Sequence, residues 1–445
     1  LRRKGRGHYD AAMSSPLIPV VSGAKPVLGH ALELVNDPLG LLLRGHREHG
    51  AAFQLRLPLK RATVLLGPEH NKLVFTETDK KLSIRAAYPF FLRMFSPDFY
   101  FFAPYDEYQR QRQVVLPRFQ GPQLDAYVAV MEAEAERFMD GLGDGGETSI
   151  PGSFGPLVMR VAAHAFLGER FAETTTDWFG EFRRFSRGAD YLTPGWLPAP
   201  HLVRSRAAGK RIRARLQEII TRRRAAPGDG GDFLDFFVKA EYEDGTPVPD
   251  AVLIDLIIML VWAGHETTTG QLAWGLIDLL RHPEELARVR AEADGIAGPL
   301  DAKGVRRLGH LDRCLHESER LHPVAFMMVR RAAEALEAAG REIPAGSVVM
   351  LSPMASHRLA TEFPEPHEYR PDRYAEDPAQ LARLIGFGGG LHKCLGIRFA
   401  YLEMSVIVAK LVQRYELELL DPDPRPVART GAKWPEPTRV RYRRR

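Results

Sequence analysis

Residues 386–400, GFGGGLHKCLGIRFA, place one cysteine, Cys394, in a glycine-rich loop ahead of an amphipathic segment. Glycines at 388, 389, 390 and 396 let the backbone bend tightly and approach a flat ligand more closely than side chains allow. A cysteine just before a helix has its thiolate favoured by unpaired backbone N–H groups and the positive end of the helix dipole. The thiolate is also the form that binds metal. The chain has two cysteines, and the other, Cys314, is far away in sequence, so Cys394 lacks the partners of a tetrahedral zinc site. One thiolate suits an iron whose in-plane ligands come from a porphyrin. Two cysteines give no disulfide framework and fit a reducing compartment.

A second chemical feature lies in LIIMLVWAGHETTTGQLAWGLIDLL (256–280), where Gly264–Thr269 interrupts a strongly apolar helix. Polar groups cost free energy to bury unless partnered, so the interruption marks a reaction site. Thr267 is both donor and acceptor, and Glu266 can move protons. In HESERLHP (316–323), Glu317 and Arg320 are three residues apart on one helix face. In YDEYQRQRQVVLPRF (105–119), Tyr108 and Arg112 are four apart.

The run Phe387-Gly388-x-Gly390-x-x-x-Cys394-x-Gly396 resembles the haem-binding loop of the cytochrome P-450 superfamily, and the other segments follow in that family's order, so the resemblance covers most of the chain. It implies heme b with Cys394 as axial iron ligand, and Phe387, Gly388, Gly390, His392 and Gly396 around the cofactor. Ala263-Gly264-His265-Glu266-Thr267 resembles the oxygen-activation motif, which makes room for dioxygen at Ala263 and Gly264 and assigns proton handling to Glu266 and Thr267. Arg112, His392 and Arg330, with Arg331 as the alternative to Arg330, resemble propionate partners. Tyr108 stands where the family commonly has His or Trp. Glu317, Arg320 and Arg373 of YRPDRY resemble a structural trio. The resemblance further implies a monooxygenase that splits O2 with two externally supplied electrons, from a ferredoxin with its reductase or from a flavoprotein. One oxygen atom enters a C–H bond or an alkene and the other leaves as water.

Substrate contacts are expected from the aromatic segment YPFFLRMFSPDFYFF (88–102), chiefly Tyr88, Phe90 and Phe91, from Ala325, Phe326, Met327 and Met328, and from His265. They suit a bulky, mainly apolar small molecule. Richness in Ala, Arg and Gly suggests a bacterial secondary-metabolite enzyme acting on a polyketide, peptide or terpenoid. The Ala-Gly-His start of the oxygen motif and Tyr88-Pro89-Phe90 also resemble the sterol 14-demethylase branch, which typically has His where this chain has Glu266. A haem sensor or electron carrier would need the cysteine loop but not Glu266-Thr267. A peroxide-using member would need no electron donor.

The elements that must position these residues are mainly helical. Helices are predicted over 106–118, 122–142, 154–168, 176–189, 203–225, 249–281, 283–294, 308–321 and 395–414. A hairpin is predicted over 51–66, with strands near 327–332 and 347–352. These elements predict a mainly α fold with small β-sheets (α+β), and the resemblance implies the cytochrome P-450 architecture, a triangular helical body with haem between the long central helix and the cysteine-loop helix. Residues 13–438 read as one catalytic domain, 1–12 as a tag or upstream extension, and 226–231 as an interhelical loop.

The chain has 445 residues and a formal net charge of +5. Nine Lys and Arg residues within 1–6 and 439–445 leave about −4 for the rest, so the basicity belongs to the tails, including an expected basic tail at 439–445. Nucleic-acid binding is not expected. Pro16, Pro19 and Pro26 interrupt the first apolar stretch, so no membrane anchor is expected. The reading is of a soluble cytoplasmic protein.

Overall fold

A computed structural model describes residues 17–58, 60–97, 99–168, 175–190, 193, 197–226, 233–429 and 432–445. The expected extension at 1–12 and all but Ala226 of the expected loop at 226–231 lie outside them. The chain divides into two compact units, Leu1–Ser83 with Val329–Leu351, and Ile84–Met328 with Ser352–Arg445.

The smaller unit holds a five-stranded sheet. The expected hairpin forms as Ala52–Leu57 and Lys60–Leu65, antiparallel with Phe53 opposite Val64. Lys60–Leu65 then pairs in parallel with Val348–Leu351, and Met328–Ala332 and Leu82–Ser83 complete the order. Helices Pro38–His49 and Pro68–Glu77 were not expected. Both start on proline, whose missing N–H and fixed φ suit the first turn.

The larger unit is helical. Pro122–Leu142, Asp250–Arg281, Pro283–Asp294, Gly309–Leu321 and Ile397–Arg414 fall within about two residues of the predicted spans. Asp250–Arg281 is long and apolar enough to cross a membrane by length and composition, yet it is mostly buried and packs against Ile150–Leu167 and Gly309–Leu321. Its apolar side chains occupy the middle of one continuous core with Phe154, Phe166, Leu311 and Ile407.

The basic end is not a loose tail. Arg439–Arg444 is the middle strand between Gly145–Ser149 and Tyr415–Leu419. Alternation buries Val440 and Tyr442, while the outward arginines meet carboxylates: Arg439 pairs with Asp421, Arg441 with Glu147 and Glu418, and Arg444 with Asp144. Alternating apolar residues and available acids make this a strand, although the charge count alone favours solvent.

Glu317, Arg320 and Arg373 meet in one buried cluster. Arg320 grips the Glu317 carboxylate with Nε and Nη2, both at 2.8 Å, and Arg373 Nε donates to Glu317 Oε1 at 3.0 Å. The remaining guanidinium N–H groups donate to carbonyls of the coil that follows: Arg320 to His357, Pro366 and Glu368, and Arg373 to Pro364 and Glu365. All three side chains are buried, so removing the carboxylate would strand two cations in a low-dielectric core. We predict that Glu317→Gln costs about 3–5 kcal/mol and lowers the urea midpoint sharply. Arg441→Ala, which removes exposed pairs, costs less than about 1 kcal/mol in the same measurement.

Candidate haem and oxygen site

The cysteine loop is held from beneath by the helix Gly309–Leu321. The Ile385 N–H donates to His357 Nε2 at 2.9 Å, and the Gly386 N–H donates to Glu319 Oε1 at 3.1 Å. Burial, with Arg320 nearby, lowers the His357 pKa to about 3, which keeps that ring neutral and accepting. Glu319 also accepts from the Tyr401 hydroxyl, and burial raises its pKa. Beyond this anchor the chain turns back on itself. The Gly388 N–H donates to Ile385 O, the Cys394 N–H donates to Phe387 O at 2.9 Å, and Gly388 and Gly390 take φ of +73° and +62°. Side chains with a Cβ rarely adopt that conformation, which is why glycine stands at these two positions. The Tyr108 hydroxyl donates to Leu391 O at 2.9 Å, and the Tyr108 ring lies 4.3 Å from that of His392.

The loop and the long helix line one cavity of about 320 Å³. Cys394, Phe387, Gly388, His392, Lys393 and Gly396 line it from the loop, and Ala263, Gly264, Thr267 and Thr268 from the helix. Tyr108 also reaches it. The Cys394 side chain is open to this cavity while protein surrounds the site, so desolvation raises its pKa. Backbone N–H groups of Gly396 and Ile397 and the charge of Lys393 pull it back. The expected helix-end stabilisation is present but is outweighed by burial, and ligation must supply the rest of the ionisation.

Arg112 fits an anionic partner. Its Nη1 is buried and has no hydrogen-bond partner among the described residues, which is the condition a charge-assisted bond to a carboxylate would relieve. Arg112 and Gly390 are not among the lining residues, but an open thiol on a mainly apolar cavity with this unpartnered cationic donor nearby fits haem. Arg330 belongs to the smaller unit, where it is buried and its Nε donates to Thr78 Oγ1 at 3.0 Å.

The Thr267 hydroxyl donates to Ala263 O at 2.6 Å, so its lone pairs remain for the cavity. Glu266 is not among the lining residues; its Oε1 lies 3.6 Å from His265 Nε2. His265 is also absent from the lining. It is buried beside Phe179, with Nδ1 3.2 Å from Val261 O, and desolvation lowers its pKa.

The expected substrate contacts shift along the chain. Tyr88, Phe90, Phe91, Phe326 and Met327 do not line the cavity, whereas Tyr100, Phe101, Ala325 and Met328 from the same two segments do. The 3₁₀ turn Pro89–Arg93 packs Phe91 against Phe102 and against Trp262, whose ring centroid is 5.6 Å away. Phe119, Phe166, Met259 and Leu260 also line the cavity, and sequence reasoning did not single them out. Glu319 was missed as well. Its only signal is a carboxylate on a helix turn whose neighbours Glu317 and Arg320 have assigned partners.

A helical fold with one loop cysteine open to a cavity under a long helix defines a haem-thiolate protein. The cytochrome P450 family model matches residues 19–439, and the chain belongs to that family. It is similar to the sterol 14alpha-demethylase of Mycolicibacterium vanbaalenii, 32% identical over 96% of this chain and 98% of that protein. It is also similar to the lanosterol 14-alpha demethylase of Homo sapiens, 29% identical over 100% and 90%. Among solved structures it resembles retinoic acid bound cyanobacterial CYP120A1, with TM-score 0.86 and 26% identity over 97% of this chain and 100% of that one. The protein is a cytochrome P450 monooxygenase with heme b as cofactor.

Two variants test the assignments. In Cys394→Ser, the ferrous protein under carbon monoxide loses the far-red-shifted Soret band of thiolate ligation, as read by absorption difference spectra. In Arg112→Ala, haem transfers to apomyoglobin at least about tenfold faster, reflecting one lost charge-assisted hydrogen bond.

Proposed function

We propose that this monooxygenase hydroxylates or epoxidises a bulky, mainly apolar terpenoid in bacterial secondary metabolism. The observation that carries the reading is one cavity shared by Cys394 and the Thr267 hydroxyl, with walls from Tyr100, Phe101, Phe166, Met259 and Leu260. Such walls reward apolar area and shape and offer few polar groups to orient a substrate. The polyketide and peptide alternatives have less support, because the relatives are named for sterols and the structural neighbour for retinoic acid, all isoprenoid in skeleton.

Cys394 would hold haem through its sulfur, Arg112 and His392 would pair with its carboxylates, and the bound group would supply the activation of dioxygen. The protein's own residues supply placement and protons. Thr267, whose hydroxyl donates to Ala263 O, presents lone pairs to the cavity and there accepts a hydrogen bond from the water that delivers the proton. Glu266, partly exposed and one residue away, takes up protons from the solvent side and returns to its carboxylate form after each transfer. Ala263 and Gly264 keep the helix surface low. Electrons come from a separate ferredoxin with its reductase or from a flavoprotein, since two cysteines cannot build a four-cysteine cluster in this chain.

A second reading, sterol 14-demethylation, is favoured by the 32% identity to the Mycolicibacterium enzyme. Glu266, where that branch typically has His, counts against it. Spectral titration with a terpenoid panel and 14-methyl sterols separates the two readings. We expect terpenoids to displace iron-bound water and be turned over with a surrogate redox chain. Turnover of 14-methyl sterols alone would overturn the terpenoid assignment. In Thr267→Ala, we predict that product formation per reductant falls at least about tenfold while hydrogen peroxide release rises, as expected for loss of a positioned proton-transfer group. Unchanged coupling would remove Thr267 from the proton path.

A further inference from the structure

Away from the haem cavity, Glu285, His310 and Cys314 bring a carboxylate oxygen, an imidazole nitrogen and a thiol within 4.8 Å of one another. Glu285 lies on the helix Pro283–Asp294, while His310 and Cys314 lie four apart on one face of Gly309–Leu321. His310 Nε2 is 2.7 Å from Glu285 Oε2 and 3.5 Å from Cys314 Sγ. The sulfur–nitrogen separation matches the edge of a tetrahedron with one metal–sulfur bond of about 2.3 Å and one metal–nitrogen bond of about 2.0 Å. The nitrogen–oxygen pair needs only a small opening to do the same.

The surroundings set the ring's tautomer and the charge that a cation would meet. His310 Nδ1, the ring's other nitrogen, accepts from Arg313 Nη2 at 3.3 Å, and Asp372 Oδ1 lies 4.0 Å away, beyond hydrogen-bond reach. The neutral ring therefore carries its proton on Nε2, toward Glu285 Oε2 at 2.7 Å, and a cation bound at Nε2 would move that proton to Nδ1 and turn Arg313 away. The charge balance is also short of a cation. Glu285, Asp372 and Glu292, which accepts from the His310 and Leu311 N–H groups, stand against Arg288 and Arg313. Once the thiol ionises, the cluster carries two uncompensated negative charges, which one divalent cation neutralises. Burial raises the Cys314 thiol pKa well above its usual range and the Tyr369 hydroxyl, which donates to Cys314 O at 3.1 Å, offsets only part of that, so the bound cation must supply the rest of the ionisation.

We propose that Glu285, His310 and Cys314 form a second metal site, separate from the haem, that takes a borderline divalent cation, zinc above all, with a water in the fourth position. Binding forms one metal–sulfur, one metal–nitrogen and one metal–oxygen bond and releases the thiol proton to solvent. The mixed sulfur, nitrogen and oxygen donors disfavour magnesium and calcium.

The test uses haem-loaded protein, in which Cys394 is committed to iron. The protein is stripped with a chelator, dialysed against zinc and measured by plasma mass spectrometry and zinc-edge X-ray absorption. We expect one zinc per chain, with one sulfur neighbour at about 2.3 Å and nitrogen or oxygen neighbours at about 2.0 Å. Glu285→Gln, which preserves packing, and Cys314→Ser should each weaken zinc binding at least about tenfold, since even outer partners of a metal site contribute that much. The sulfur shell should vanish in Cys314→Ser. Should Cys314→Ser not fold, the Glu285→Gln affinity and the wild-type sulfur shell decide. Zinc bound equally by wild type and Glu285→Gln, or a wild-type shell without sulfur, overturns the site.

Discussion

A sulfur that must be negative inside a protein is the constraint on which the larger unit depends. Desolvation raises the Cys394 pKa, and the Gly396 and Ile397 N–H groups offset only part of that rise. The iron supplies the remainder, but only if the sulfur is held where the metal can reach it. The loop achieves this by closing Cys394 N–H onto Phe387 O and by placing glycines at the two left-handed positions. Its entry is pinned by His357 and Glu319, which are themselves set by the helix carrying Glu317 and Arg320. The buried ion trio therefore acts at a distance. It fixes the coil, the coil fixes His357, and His357 fixes where the cysteine loop begins. A pair of this kind adds little net stability over an apolar replacement, so its value here is geometric.

The long helix meets the opposite demand, to carry polar groups through an apolar core without leaving them unsatisfied. Thr267 and Thr269 do so by donating to the carbonyls four residues back, at 2.6 Å each. The two hydroxyls differ in what remains. Thr269 is fully buried, so its bond completes its role, whereas Thr267 faces the cavity with acceptor capacity left over. His265 is kept neutral by burial beside Phe179. One helix turn thus separates a satisfied wall from a reactive surface.

The parts of the site legible in the sequence are those whose geometry is local. The glycines fix the loop conformation, the three-residue spacing puts Glu317 and Arg320 on one face, and Thr267 follows from a polar break in an apolar helix. What was not legible depends on packing between distant segments. In the aromatic segment, composition reveals a hydrophobic wall but not which rings face inward. The turn at Pro89–Arg93 sends Phe91 toward Trp262 and leaves Tyr100 and Phe101 at the cavity. Arg439–Arg444 reads as a charged tail until Asp421, Glu147 and Asp144 are brought beside it. The anchoring role of Glu319 likewise needs Gly386 and Tyr401, 67 and 82 residues on, in contact.

The two cysteines show why residue type alone decides little. Burial raises the pKa of both, so neither thiolate is favoured by the protein alone. Cys394 opens onto a cavity lined by apolar side chains, where a planar cofactor can bring its metal to the sulfur. Cys314 is closed in by the Tyr369 hydroxyl, His310 and the Glu285 carboxylate, a compact set with no space for a porphyrin but with donors at single-ion distances. Each thiol becomes a ligand only when a cation offsets its desolvation. The shape of the surrounding space, more than the sulfur's own acidity, determines which cation that is.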